Sequence, residues 1–198
     1  MITRFDKYRI ILASRSPRRQ QLLKDLGLTF EVVGIDYDET FPENLNGEEA
    51  AIYLAKGKSN SLRNKLSDNE IVITADTIVW CNNQALGKPV DYEDARRMIY
   101  ELSGNTHEVI TGVNLLSAKK EVAFFESTIV TFEKLSDEEI DFYIHEFKPF
   151  DKAGAYGIQE WIGIAACNRI EGSYFNVVGL PVQRVYTELI DFVADLNG

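Results

Sequence analysis

The stretch "EIVITADTIVW", residues 70–80, constrains the fold more than any other part of the chain. Ile, Val and Thr dominate it, the composition of a β-strand. Asp76 interrupts it. A carboxylate in so apolar a run is costly to bury unless it is paired or binds a metal. Two readings follow. Asp76 holds a divalent cation or acts as a general base on water, or it sits at a bulge or strand end where backbone N–H groups satisfy it.

Around this strand the pattern alternates between strands and helices. Residues 8–13 read as a buried strand. In "SRSPRRQQLLKDLG", Ser16 is placed as a helix N-cap and Pro17 at the first helical position. Leu22, Leu23 and Leu26 form its apolar face and Gly27 ends it. "FEVVGID" reads as a second strand, and residues 46–66 as a helix capped by Asn46 with Glu48 and Glu49 in its first turn. A helix follows from Asp91 to Leu102, closed by Gly104. Residues 107–117 and 121–132 read as two long strands joined near "SAKK", forming an antiparallel hairpin. Ser136 and Glu139 make a capping box for the next helix, which Pro149 ends. After the glycine-rich loop "DKAGAYGIQEWIG" comes a last helix with Val182, Val185, Leu189, Ile190 and Val193 on one face. This order predicts an α/β fold, a mixed sheet with helices on both faces, in one domain over residues 1–198.

Composition removes several functions. Lys and Arg total 21 against 31 Asp and Glu, a net charge of -10, which argues against general nucleic-acid binding. The start "MITRFDKYRI" lacks the apolar run of a signal peptide. No run of about 18 apolar residues is present, so no membrane span is expected, and the expected location is the cytoplasm. Cys81 and Cys167 lie far apart and outside any CxxC pair, which predicts reduced, partly buried thiols and no zinc site. His107 and His145 lack metal-ligand spacing and read as structural. A Ser-His-Asp or Cys-His arrangement therefore has few parts to draw on.

Arg18 and Arg19 occupy the first turn of the helix after residues 8–13. A helix N-terminus is already partly positive and disfavours cations. An anion bound there accounts for both, because free N–H groups at a strand–loop–helix junction suit a phosphate and arginine adds charge-assisted hydrogen bonds. Ser14 belongs to the same junction. The competing reading is a capped surface helix with two solvated arginines. No GxxxxGK[ST] is present, so the junction is not a P-loop. Glu39 in "DYDET", Lys58 in "LAKGKSN" and Lys88 in "LGKP" are each ordinary surface residues when taken alone. Together they supply what a triphosphate needs: cations for its oxygens and carboxylates for a hard metal ion. In residues 151–159, Gly154 and Gly157 allow close backbone approach, and Gln159 offers the donor and acceptor that read a base edge. Tyr156 and Trp161 are candidates to stack on a ring, or to serve as packing residues.

"LASRSPRR", "ADTIV", "GKP", "DKAGAYGIQ" and "GSYFNVVGLP", in that order, resemble the Maf family of nucleoside triphosphate pyrophosphatases across residues 10–189. The resemblance implies a Maf-type fold related to the inosine triphosphate pyrophosphatase-like fold, with an elongated mixed sheet and a cleft between two lobes. It implies hydrolysis between the α- and β-phosphates of a nucleoside triphosphate, clearance of noncanonical or excess nucleotides, and a link to inhibition of septum formation. It implies a divalent metal, Mg²⁺ with Mn²⁺ as the alternative, and it alone suggests a homodimer. Asp76 matches the family's proposed proton acceptor, and Ser14, Arg18, Arg19, Glu39, Lys58 and Lys88 match its active-site polar positions; the mechanism expected from these residues has Glu39 and Asp76 holding the metal. Arg18, Thr77 and Gln159 match the branch acting on dTTP and UTP. The alternatives are the branch acting on 7-methyl-GTP, and a nucleotide-binding regulator of cell division with vestigial catalysis. One departure stands out: Gly57 and Ser59 flank Lys58 where many relatives carry larger or more helix-favouring residues, which predicts a weaker local helix.

Overall fold

The computed structural model describes residues 3–197. In chain order these form β1 (Arg9–Leu12), α1 (Pro17–Asp25), β2 (Glu31–Val32), α2 (Gly47–Asn60), β3 (Glu70–Cys81), β4 (Gln84–Leu86) and α3 (Tyr92–Leu102). Then follow β5 (Thr106–Leu116), β6 (Glu121–Phe132), α4 (Asp137–Phe147), α5 (Trp161–Ala165), β7 (Cys167–Glu171), α6 (Tyr174–Val178) and α7 (Val182–Asn197). The strand order is β2-β1-β3-β5-β6-β7, with β4 paired to β3. β1 runs parallel to both β2 and β3, whereas β3–β4 and β6–β7 are antiparallel. This is the expected mixed α/β sheet. β5 and β6 are neighbours joined by four residues, 117–120, a link short enough only for antiparallel strands.

The chain divides into two compact units. Unit 1 comprises residues 1–76, 111–126 and 179–198, and unit 2 comprises residues 77–110 and 127–178. In unit 1, Ile10 of β1 lies opposite Ile71 of β3 and Leu12 opposite Ile73. Both strands are buried through most of their length. α2 lies directly on β5. A methyl group at Gly112 would come within 2.2 Å of the Ala51 carbonyl oxygen, so only glycine allows this approach. In unit 2, one apolar core joins β3, β4, α3, β6 and α4 through Val79, Leu86, Ile99, Phe132 and Tyr143.

The caps are those the sequence predicts. Ser16 accepts from the Arg19 N–H, and Asn46 with Glu49 and Ser136 with Glu139 form capping boxes. Gly27 and Gly104 take positive φ beyond the ends of α1 and α3.

Several expectations need correction. The second strand is only Glu31–Val32; it pairs on one side alone, both residues are exposed, and Gly34 follows. α2 stops at Asn60 and gives way to a 3₁₀ turn at Arg63–Lys65. On α7 the buried face comprises Val182, Val185, Leu189, Phe192 and Val193. Ile190 turns about a quarter of the way round the helix from Leu189 and is only half-buried. Lys148, in the left-handed conformation, ends α4 before Pro149 is reached. Four of the labelled elements were not anticipated: β4, α5, β7 and α6, with α5 beginning inside the stretch read as a glycine-rich loop. β4 follows Asn82 and Asn83, whose φ values of 49° and 61° make the two-residue turn of a tight hairpin.

Candidate active site

The site in unit 1 begins where β1 leaves the sheet. Ser14 is buried, and its Oγ accepts from the Ser16 N–H at 3.2 Å. Ser16 in turn caps α1 by accepting from the Arg19 N–H at 3.4 Å. With its backbone committed to the cap, Arg19 sends its side chain across to donate Nε–H to the Gly179 carbonyl at 2.8 Å. That carbonyl belongs to "VVGLP", so the interaction ties the start of α1 to the segment leading into α7.

Asp76 receives the partner its burial demands. Its side chain is 10% exposed and is held by the ammonium of Lys58, itself 12% exposed, from the last turn of α2. The same Nζ donates to Glu39 Oε1 at 2.8 Å. One lysine thus bridges two carboxylates, one from a strand and one from the coil before α2. Arg19 is electrostatically part of this group. Burial lowers its pKa from the ordinary arginine range, Asp76 opposes that fall, Arg18 adds to it, and Glu39 opposes it. The guanidinium stays cationic, as arginine does in proteins. Ser14, Arg18, Arg19, Glu39, Lys58 and Asp76 all lie in unit 1. Lys58, an ordinary polar helix residue by sequence, is the centre of the arrangement.

The remaining predicted residues lie in unit 2. Thr77 is half-buried on β3, next to Asp76 in sequence and therefore on the opposite strand face. Lys88 is exposed between β4 and α3. The Gly87 carbonyl beside it accepts from the Gly154 N–H at 3.0 Å, which docks the "GKP" turn on the loop that carries Gln159. Gly154 has φ of +65°, and a methyl there would meet the Val79 side chain at 2.9 Å. Gln159 is exposed, between buried Ile158 and half-buried Glu160. Behind it, the Tyr143 hydroxyl donates to Glu160 Oε2 and accepts from the Gly157 N–H at 3.0 Å. Lys152 reaches Glu160 Oε1 at 3.1 Å. The backbone that presents Gln159 is therefore fixed from beneath.

The aromatics of this loop are packing residues. Tyr156 is 5% exposed and packs edge-on against His107 and Phe132, with its hydroxyl 2.8 Å from His107 Nε2. Trp161 packs edge-on against Phe142. Cys81 and Cys167 are free thiols, as expected. One contact was invisible in the sequence: the Tyr37 ring lies on Gly57, one residue before Lys58. Ser59, on the other side, is fully buried; its hydroxyl donates to the Lys56 carbonyl and accepts from Asn114. Both departures from the family pattern are thus packing requirements of this fold, and α2 runs unbroken through them.

Glu39 and Asp76 are the two carboxylates of this cluster that could hold a metal. No cluster of three or more His, Cys, Asp or Glu with metal-binding geometry occurs among the described residues. Two carboxylates fit a hard cation that takes its remaining oxygens from substrate phosphates and water, the habit of Mg²⁺.

The sequence profile of Maf-like protein matches residues 9–192. The chain belongs to the Maf family. Among its Maf relatives, the dTTP/UTP pyrophosphatase of Phocaeicola vulgatus is 53% identical over 190 residues, covering 96% of this chain and 98% of that one. The dTTP/UTP pyrophosphatase of Flavobacterium psychrophilum is 50% identical, covering 95% and 96%. A solved structure, the Staphylococcus aureus Ham1 protein, is similar at a TM-score of 0.45 and 16% identity, covering 63% of this chain and 71% of that one. No helix among the described residues is long and apolar enough to cross a membrane.

Proposed function

We propose that this chain is a nucleoside triphosphate pyrophosphatase acting on dTTP and UTP. The observation that carries the reading is the Glu39–Lys58–Asp76 bridge lying within the field of Arg19 at the start of α1. Cations and a buried carboxylate converge there, as attack on a polyphosphate requires. The nucleotide class follows from relatives about half identical over nearly the whole chain that are named dTTP/UTP pyrophosphatase.

In this reading Asp76 takes a proton from water as the water oxygen bonds to the α-phosphorus. The bond from that phosphorus to the α–β bridging oxygen breaks, and pyrophosphate leaves with the nucleoside monophosphate as second product. Lys58 donates to Asp76 and keeps its carboxylate aimed. Arg18, Arg19 and Lys88 neutralise the phosphate oxygens and the leaving group, and Ser14 contributes a hydroxyl at the same junction. Glu39 and Asp76 would hold a divalent cation, which when bound would supply further neutralisation of phosphate charge. Thr77 and Gln159 read the carbonyls and N–H of a uracil or thymine edge, and Arg18 completes the set matching the dTTP/UTP branch. The thymine methyl is worth only about 1–3 kcal/mol in a pocket, so one site accepts both nucleotides.

The test is incubation of the pure protein with Mg²⁺ and each of dTTP, UTP, CTP, GTP and 7-methyl-GTP, with product identification. Monophosphate and pyrophosphate from dTTP and UTP are expected. Cleavage of 7-methyl-GTP alone overturns the roles of Arg18, Thr77 and Gln159. Orthophosphate release overturns the choice of bond, and binding without turnover favours a regulator.

A further inference from the structure

We infer that Tyr37 is a positioning residue for the Glu39–Lys58–Asp76 centre, seated in a notch that α2 opens by carrying glycine at position 57. The inference rests on the pyrophosphatase reading of that centre. Glycine inside a helix costs about 1 kcal/mol relative to alanine, so its presence needs a cause. Backbone conformation is not the cause, because Gly57 lies within the regular α2 helix and not among the positive-φ glycines. Space is the cause. A methyl at Gly57 would lie 2.0 Å from the Tyr37 hydroxyl oxygen, 2.3 Å from Cζ and 2.9 Å from Cε2. The ring therefore rests directly on the helix backbone.

Tyr37 belongs to the segment between β2 and α2, which has no regular secondary structure from residue 33 to residue 42. In such a segment Glu39 must be fixed by side chains, because each residue left free retains about 1–2 kcal/mol of backbone entropy. Tyr37 reaches Gly57 and Glu39 reaches Lys58, so two residues close together in this segment land on consecutive positions of α2. The residues on either side of Tyr37 make other contacts: Asp36 lies 3.8 Å from Arg15, and Asp38 accepts from the Thr40 N–H at 3.2 Å. A flat ring with few rotatable bonds is a suitable anchor for a coil. Gly57 and Tyr37 are thus two halves of one device that holds Glu39 against Lys58.

The experiment compares dTTP turnover in the wild type, Gly57→Ala, Tyr37→Ala, Tyr37→Phe and the Gly57→Ala/Tyr37→Ala double variant, with hydrogen exchange of residues 33–42 measured in each. Small misplacements of catalytic groups cost up to about 10²-fold. We therefore expect kcat to fall about 10- to 10²-fold in Gly57→Ala and in Tyr37→Ala. Tyr37→Phe, which keeps the ring, stays within about twofold. The double variant is expected to be no slower than Tyr37→Ala, because with the ring gone the added methyl meets nothing. Exchange in residues 33–42 is expected to quicken in Gly57→Ala and Tyr37→Ala. Full activity of Gly57→Ala, multiplicative losses in the double variant, or unchanged exchange overturns the inference. If the wild type cleaves neither dTTP nor UTP, the functional reading fails, and the exchange data still decide whether Tyr37 fixes the segment.

Discussion

Replacing Lys58 by Met tests whether the centre of unit 1 is the buried charge cluster its geometry describes. Met keeps most of the length of the side chain and removes the ammonium. Asp76, 10% exposed, then loses its partner, and Glu39, 37% exposed, faces it as a like charge. Removing one member of a buried pair costs about 3–5 kcal/mol, whereas an exposed pair is worth about 0–1 kcal/mol. Asp76 belongs to the first class, and the contact with Glu39 is largely screened, so a loss of about 3 kcal/mol is expected. In a chain of this size that lowers the melting temperature by about 6–12 °C. Urea unfolding, with a check that the slope is unchanged, measures it directly. Adding Asp76→Asn to Lys58→Met removes the uncompensated charge and should restore about 2 kcal/mol, a coupling typical of residues in direct contact. A loss under about 1 kcal/mol, or single-variant effects that simply add, would show that Asp76 is solvated and that the bridge has no structural weight.

Asp76→Asn alone should lower turnover of dTTP at least about 10²-fold, the lower range for loss of a general base, and single-turnover kinetics with product analysis would show near-normal rates if another group is the base. His107 should make the fold acid-sensitive. Burial pushes its pKa down to about 4 from 6.5. The unfolded chain then takes up a proton that the folded chain refuses, so the neutral-pH stability is present above pH 6.5 and is lost as pH falls from about 6.5 to about 4. The loss amounts to about 3 kcal/mol at about 1.4 kcal/mol per pH unit. His107→Gln should flatten the stability–pH curve over that interval, and an unchanged slope in chemical denaturation would contradict the assignment. Gly112→Ala should cost about 1–3 kcal/mol or more, because its methyl would meet the Ala51 backbone at 2.2 Å and a helix backbone cannot step aside cheaply. A melting temperature equal to that of the wild type would mean that α2 has room to move.

Legibility in the sequence followed the range of the interactions. Ser16, Asn46 and Ser136 were readable because a cap is settled within three residues of itself. β3 was readable because its apolar run matches burial along most of the strand. β2 was overestimated because the apolar character of residues 30–36 does not reveal that the strand has only one neighbour. The Asn82–Asn83 turn carries a local signal, two residues tolerant of positive φ. At the site, Asp76 announced itself as a charge in an apolar run, but nothing around Lys58 marked it as the partner, since the two are 18 residues apart and meet only after α2 packs on the sheet. Gly57 looked like a flaw for the same reason: the ring that requires it is 20 residues upstream, as 57 − 37 gives.

The parallel pairing of β1 with β3 limits where this chain can change its length. Ile10 against Ile71 and Leu12 against Ile73 fix the phase of β3, and side chains alternate along it. One residue inserted or deleted between 71 and 76 would turn the Asp76 carboxylate to the face that Thr77 now occupies and aim it away from Lys58. The tight Asn82–Asn83 turn lies beyond that register and is exposed, so the chain can lengthen there while the lysine bridge stays aligned. A change in length is therefore accommodated past the far end of β3, while the stretch from the β1 pairing to Asp76 keeps its phase.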